Sequence, residues 1–342
     1  MIGVLIIPTG LGATIGGNAG DGNPVAKLIA QCCDTLITHP NVVNASDINE
    51  MTENTLYVEG SMLDRFLRGE ISLRPVKRYN KILVVANPPL YEETINAVSA
   101  ARATIGVHAE ILELSVPLRM VATIRDGVAT GGIHKVDNLL SDISARHFDA
   151  LAIHTPVEVH RDVALDYYRN GGVNPWGGVE AKLSKLVSNA IHKPVAHAPL
   201  DTIDPDDKEL FLVFKERVQP RIAAEAISNC YLHSVLKGLH RAPQIGTEKD
   251  LTSEDVDFLL SPFGCWGEPH EACWKKGIPV ISVQENTVHN PLAGSDIIVK
   301  NYLEAAGLIM SMRAGVHPES VRAEFRDTSV FYKCREQELE VA

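Results

Sequence analysis

The sequence predicts an α/β fold, a mainly parallel sheet with helices on both faces, either one unit or two lobes around a cleft. Three observations predict it. Short, β-branched apolar runs recur along the chain, and segments with apolar residues at i, i+3, i+4 and i+7 alternate with them. The chain of 342 residues is 45% hydrophobic and 22% charged, ordinary globular material able to bury a sizeable core. Strand–helix alternation on such a chain is the pattern of parallel strands joined by crossover helices.

The first run, GVLIIP (Gly3–Pro8), reads as a buried strand. Further strands are expected at Lys81–Asn87, Ala109–Leu114, Ala150–Thr155, Lys193–Ala198, Val256–Ser261 and Ile278–Val283. After the first strand, Val25, Leu28, Ile29, Cys32 and Leu36 recur at helical spacing, with Asn23 as expected N-cap and Pro24 in the first turn. Other helices are expected over Glu92–Ile105, Val136–Ala145, Val179–Ile191, Ile222–Leu239 and Tyr302–Ala314.

A single α/β unit over residues 1–316 is expected, followed by a C-terminal helix and tail over 317–342. The polar, turn-rich stretches near 200–209 and 240–255 are where the chain would cross between lobes. The last stretch, RDTSVFYKCREQELEVA, has no clean period and reads as a tail or an oligomer contact, which is compatible with a homo-oligomer.

The net charge of −11 and the lack of any basic run argue against nucleic acid as partner. The six cysteines form no CxxC pair and no small secreted framework, which points to a reducing setting. MIGVLIIPTG has no basic lead-in, and its apolar run is too short to span a bilayer. A cytoplasmic protein with no membrane partner is therefore the expectation.

Six glycines crowd between Gly10 and Gly22. GLGATIG is GxGxxxG, not GxGxxG, and the expected helix starts too late for a dinucleotide-binding turn. Asp21 would also repel a phosphate. A long glycine-rich loop at the carboxyl end of a first parallel strand is instead where a small molecule sits. Thr9, Gly10, Gly12, Asn18, Asp21 and Asn23 are the substrate-binding candidates there; the plainer alternative is a structural loop.

Four further stretches carry candidate chemistry. In THPNVVNAS, Pro40 holds His39 at a turn, as substrate ligand or as backbone cap. In LYVEGSMLDRFLRGE, Glu59 ends a short strand and is an acid–base candidate, while Asp64 and Arg65 are expected at the start and outer face of the following helix. KPVAHAPLD places His197 at the end of a buried strand, where a general base would stand. In SPFGCWGEPHEAC, Cys265 lies at a strand–loop–helix junction, as a nucleophile or thiol acid–base, or else as a small buried hydrophobe. Asn286 and Thr287, after the next strand, would orient substrate. Cys265, Glu268, His270, Cys273 and His289 match no zinc spacing, so a metal is the lesser reading and no cofactor is expected. No GxSxG, HExxH or P-loop pattern occurs.

IPTGLGATIGGNAGD, LITHPNVVNAS, LYVEGSMLDRFLRG, GLHRAPQ, GIPVISVQENTV and NYLEAAGLI…RAGV together resemble the bacterial family known as domain of unknown function 3326. The resemblance runs from about Ile6 to Val316 and implies one fold and one site, with no activity to carry over. Members have a cysteine flanked by glycines at the position of Cys265; here Trp266 follows it. The expected function is an enzyme acting on a small, carboxylate-bearing metabolite by non-redox thiol or acid–base chemistry, of hydrolase, lyase or isomerase type. Cys265, His197 and Glu59 are its expected catalytic residues. The alternatives are a nucleotide- or NAD-dependent enzyme with an unusual pocket, and a noncatalytic metabolite-binding protein.

Overall fold

A computed structural model describes residues 1–18, 21–43, 51–200, 217–227, 231–289, 291–292, 294 and 297–331. The expected crossing at 201–209, the far end of the expected tail, and Cys230 and Cys334 lie outside the described residues.

Two parallel sheets form the frame. The first has six strands in the order β15-β14-β13-β1-β2-β3: β1 (Ile2–Leu5), β2 (Thr35–Thr38), β3 (Thr55–Tyr57), β13 (Phe258–Pro262), β14 (Val280–Val283) and β15 (Ile297–Val299). The second has four, in the order β11-β9-β5-β6: β5 (Lys81–Ala86), β6 (His108–Glu113), β9 (Ala150–Thr155) and β11 (Val195–Pro199). Every neighbouring pair in both sheets is parallel. Strands buried on both faces read as unbroken apolar runs, which is why GVLIIP and ALAIHT announced themselves.

Alternate residues of each strand feed opposite faces. From the first sheet, Leu5, Ile7, Leu36 and Leu260 pack with α1 (Asn23–Ala30) and α11 (Tyr302–Arg313). Val4, Ile6, Ile37 and Leu259 pack on the other face with α3 (Gly60–Arg68) and α10 (Glu268–Lys276). From the second sheet, Leu83, Val85, Leu151 and Ile153 pack with α5 (Val136–Ile143) and α7 (Gly177–Ile191). Its other face, through Ile82, Val84, Ala152 and Ala196, joins the same core as Leu5 and Leu36, with α4 (Glu92–Ile105) contributing Ala97, Val98 and Ala101.

The bridge between the sheets is α9 (Tyr231–Arg241), whose Leu232, Val235, Leu236 and Leu239 are buried in that shared core. Each such side chain contributes about 1.5–3 kcal/mol when fully buried. Its approach to β3 is close: a Cβ on Gly238 would meet the Tyr57 ring at 2.4 Å. The two sheets are thereby fixed against one another through a common interior.

The smaller elements complete the layers. A hairpin of β7 (Arg119–Arg125) and β8 (Val128–His134) extends to β10 (Val157–Glu158). Its two-residue turn, Asp126–Gly127, has φ of 52° and 74°, as a type I′ turn requires. β4 (Leu73–Arg74) pairs antiparallel with β12 (Gln244–Ile245), inside the expected 240–255 crossing, where the chain returns from α9 to β13. The remaining helices are α2 (Pro40–Val43), α6 (Arg161–Asn170) and α8 (Ala223–Ile227).

Several expectations are corrected. The helical spacing reaching Leu36 breaks at Ala30, because the β-branched Thr35–Thr38 pairs with β1 instead. The N-cap of α1 is Gly22, with Asn23 already in the helix. The expected helix Ile222–Leu239 is described as α8 and α9, with residues 228–230 outside the described set. Beyond Val316 the described residues hold one 3-10 turn, Pro318–Val321, and no α-helix.

Candidate functional site

A cavity of about 280 Å³ lies where the carboxyl ends of strands from both sheets converge. Thr9 reaches it from beyond β1, His39 from β2, Glu59 from β3, and His197 with Pro199 from β11. The α3 and α7 helices form its walls, and Tyr168, Asn174, Trp176, Glu225 and Tyr231 complete the lining. Carboxyl edges of parallel strands are where open α/β sheets bind ligands.

Glu59 caps α3. Its carboxylate accepts from Ser61 N at 2.9 Å, from Met62 N at 3.3 Å, and from the Ser61 hydroxyl. These donors favour the ionised form, but burial outweighs them and pushes the carboxyl above its ordinary range. One turn on, Asp64 also faces the cavity, 3.6 Å from Lys185 Nζ of α7. Burial raises its carboxyl, and Lys185 opposes the shift. The expected placement of Asp64 on an outer face is thus corrected: the helix turns that residue toward α7.

The expected general base is held on both ring nitrogens. His197 Nδ1 lies 3.0 Å from Glu180 Oε1, and Nε2 lies 3.1 Å from both the hydroxyl and the carbonyl of Thr155. Nδ1–H donates to Glu180, while Nε2 accepts the Thr155 hydroxyl proton when bare and donates to the Thr155 carbonyl when it carries a proton. His197 therefore orients Glu180 more readily than it takes a proton from a ligand.

His39 accepts the Ile7 N–H on Nε2 at 3.1 Å, which leaves its proton on Nδ1. Burial pushes its pKa down to about 4, so the ring is neutral and a hydrogen-bond donor at neutral pH. Thr9 Oγ1 is buried without a hydrogen-bond partner among the described residues. At the far wall, Asn174 Oδ1 accepts from Trp176 N at 3.0 Å and Gly177 N at 3.3 Å, opening α7, while its Nδ2 donates to Glu225. Tyr167 Oη lies 2.9 Å from Glu225 Oε2 and 2.6 Å from Asn18 Oδ1. One hydroxyl proton serves one acceptor, so the second contact needs a donor on the other side, an inverted Asn18 amide or a protonated Glu225.

The other expected site residues lie outside this lining. Asn286, fully buried, accepts Ile15 N–H at 2.8 Å and donates to Ile15 O at 2.8 Å and Tyr302 Oη at 2.7 Å. It pins the glycine loop rather than a ligand. Asp21 accepts Gly16 N–H at 2.8 Å, and burial pushes its carboxyl up to about 6. Gly10 and Gly12, with φ of 77° and 78°, let the loop turn back on the hairpin and on His289; Gly10 O accepts Ala129 N–H at 3.0 Å. Asn23 is buried in α1, and the Thr287 hydroxyl donates to Gln284 O.

Cys265 is a correction of greater weight. It belongs to the shared core, 7% exposed, and does not line the cavity. Burial alone pushes its thiol up to about 12, the reverse of what a nucleophile needs. The α10 N-cap is Gly267, two residues further on, so the helix terminus does not rescue it.

Sequence reading missed the α7 face. Gly177, Glu180, Ala181, Ser184 and Lys185 line the cavity at helical spacing, a polar stripe on a helix whose opposite face carries Val179, Leu183 and Val187. That stripe was readable; its facing a cavity was not. Among the described residues no group of three or more His, Cys, Asp or Glu side chains could hold a metal ion.

The chain belongs to the family described as protein of unknown function DUF3326, which matches residues 2–322. An uncharacterized lipoprotein of a Synechococcus species is 34% identical over 339 residues, covering 93% of this chain and 92% of its own. No solved structure matches. The relative's name overturns the expected cytoplasmic placement, which rested on charge, cysteine spacing and a short apolar run that the fold uses as a central strand. No helix among the described residues is long and apolar enough to cross a membrane.

Proposed function

We propose that this member of the family is an enzyme that acts on a small polar molecule by non-redox proton transfer in the cavity between the two sheets. The observation that carries the reading is the convergence there of strand ends from both sheets with two carboxyl groups, Glu59 and Asp64, held above their ordinary range. A raised carboxyl is a proton donor and acceptor nearer neutrality. Asp64 is the proton-transfer residue, since it is half-buried against Lys185 while both Glu59 oxygens already accept helix N–H groups. His39 Nδ1–H and the Thr9 hydroxyl would hold the substrate. The thiol version is set aside with Cys265.

A second reading, a noncatalytic binding protein, is favoured by the engagement of His197 on both nitrogens. One experiment separates them. Wild-type protein and Asp64→Asn are incubated with a metabolite extract, and mass spectrometry follows what is consumed and formed. A substrate–product pair that appears with wild type and is lost in the variant supports the enzyme. Compounds retained by the wild type without conversion would replace it with the binding protein.

A further inference from the structure

The cavity's charge is one-sided. Glu59, Asp64, Glu180 and Glu225 line it, against Lys185, its single Lys or Arg side chain among the described residues. That ammonium is itself half-exposed and sits 3.6 Å from Asp64, so its charge is already answered. Glu180 has the His197 ring as partner, and Glu59 has the N–H groups of α3. No guanidinium among the described residues reaches in to receive a carboxylate or phosphate.

The walls add a second feature. Trp176 packs against Tyr168 at 5.7 Å between ring centroids, and both line the cavity. Aromatic faces beside carboxylates in a concave, partly desolvated space are the chemistry that receives an organic cation. An anion there would meet four acidic side chains against one ammonium, in a medium that screens charge poorly. The buried Thr9 hydroxyl, without a partner among the described residues, adds a neutral polar contact for the same ligand.

We infer that the substrate of this cavity carries a cationic group, an ammonium or guanidinium, seated between the carboxylates of Asp64 and Glu180 and the rings of Trp176 and Tyr168. The inference rests on the cavity being the ligand site and replaces the carboxylate-bearing metabolite expected from the glycine loop. Of the groups around the glycine loop, Asp21 Oδ1 and Asn286 hold the loop backbone at Gly16 and Ile15, and Thr9 is the loop's predicted site residue that lines the cavity.

The test is titration calorimetry with three probes of one carbon-chain length, putrescine, butanediol and succinate, on the full chain, Asp64→Asn and Glu180→Gln. Both substitutions keep side-chain shape, and circular dichroism verifies the fold. Putrescine is expected to bind, with affinity falling about tenfold in each variant, the scale of one charge-assisted hydrogen bond; succinate is not. Succinate or butanediol binding as well as putrescine overturns the cationic class and leaves the cavity standing. Putrescine binding unchanged in both variants assigns it to the acidic surface at large and overturns the inference. Failure of all three probes on the wild type overturns the cavity as the ligand site. Conversion of an anionic metabolite in the extract assay, lost in Asp64→Asn, would keep the enzyme and discard the cation.

Discussion

Gly177 and Thr9 stand so close that a methyl group on the glycine would lie 1.6 Å from Thr9 Oγ1 and 2.7 Å from its Cβ. The first turn of α7, from the second sheet, thus seats directly on the loop leaving β1 of the first. Both residues line the cavity, so the contact joins its two walls. Gly177→Ala is expected to destabilise by about 1–3 kcal/mol, the usual cost of overpacking. It should also weaken ligand binding, because the loop or the helix must shift; thermal unfolding and titration of one sample read both effects.

Cys265 is expected to be inert in the folded protein. Its thiol is buried and pushed up to about 12, and Cys32, Cys33 and Cys273 are buried too. Iodoacetamide at neutral pH should label Cys265 only as fast as the chain unfolds, and Cys265→Ala should lower stability by about 1 kcal/mol while leaving cavity binding intact. Rapid alkylation of Cys265 in native protein, mapped by mass spectrometry, would restore it as a site residue.

Asn286→Ala is expected to cost about 3 kcal/mol, since it leaves Ile15 N–H, Ile15 O and Tyr302 Oη without their buried partner. If Asn286 instead touched substrate, binding would fall with stability unchanged. Urea unfolding together with limited proteolysis of the glycine loop distinguishes the two.

Stability is expected to fall as pH drops from 6.5 toward 4. Burial holds His39, His154 and His270 down to about 4, so in this window the unfolded chain binds protons that the folded rings refuse. Asp21 works the other way. Its carboxyl, raised from 3.8 to about 6, keeps a proton in the fold that the unfolded chain has released, which favours folding at the acid end. Glu59, Asp64 and Glu93, also raised by burial, act with Asp21, but five lowered rings, His233 and His240 included, outnumber these four carboxyls; the shifts at His39, His154, His270 and Asp21 are each worth about 3 kcal/mol at the limit. The urea midpoint measured across the window should therefore decline on acidification, and Asp21→Asn should stabilise the protein above pH 6 by removing a buried charge.

The sequence determined the fold class of this chain through local chemistry. The apolar run Gly3–Pro8 holds β1 through Leu5 and Ala150–Thr155 is β9, because strands covered on both faces need no polar alternation, and Glu92–Ile105 is α4 to the residue. Its Asp126–Gly127 pair also encoded a hairpin, in a signal that went unread beside the louder parallel strands. Of the cavity lining, Glu59 and His197 were legible from their places on short apolar strands, His39 from the turn that Pro40 sets, and Thr9 from the glycine loop beyond β1, all local features.

Tertiary structure alone decided the rest. Asp64, Glu180 and Trp176 belong to helices whose polar faces look alike from sequence whether they meet water or a cavity; only the packing of both sheets on α9 and the close approach of α7 to Thr9 turned them inward. Cys265 and Asn286 had the right types at the right strand ends. The interior claimed one for its core and the other for the loop, because burial and hydrogen-bond demand are set by neighbours hundreds of residues away in the chain.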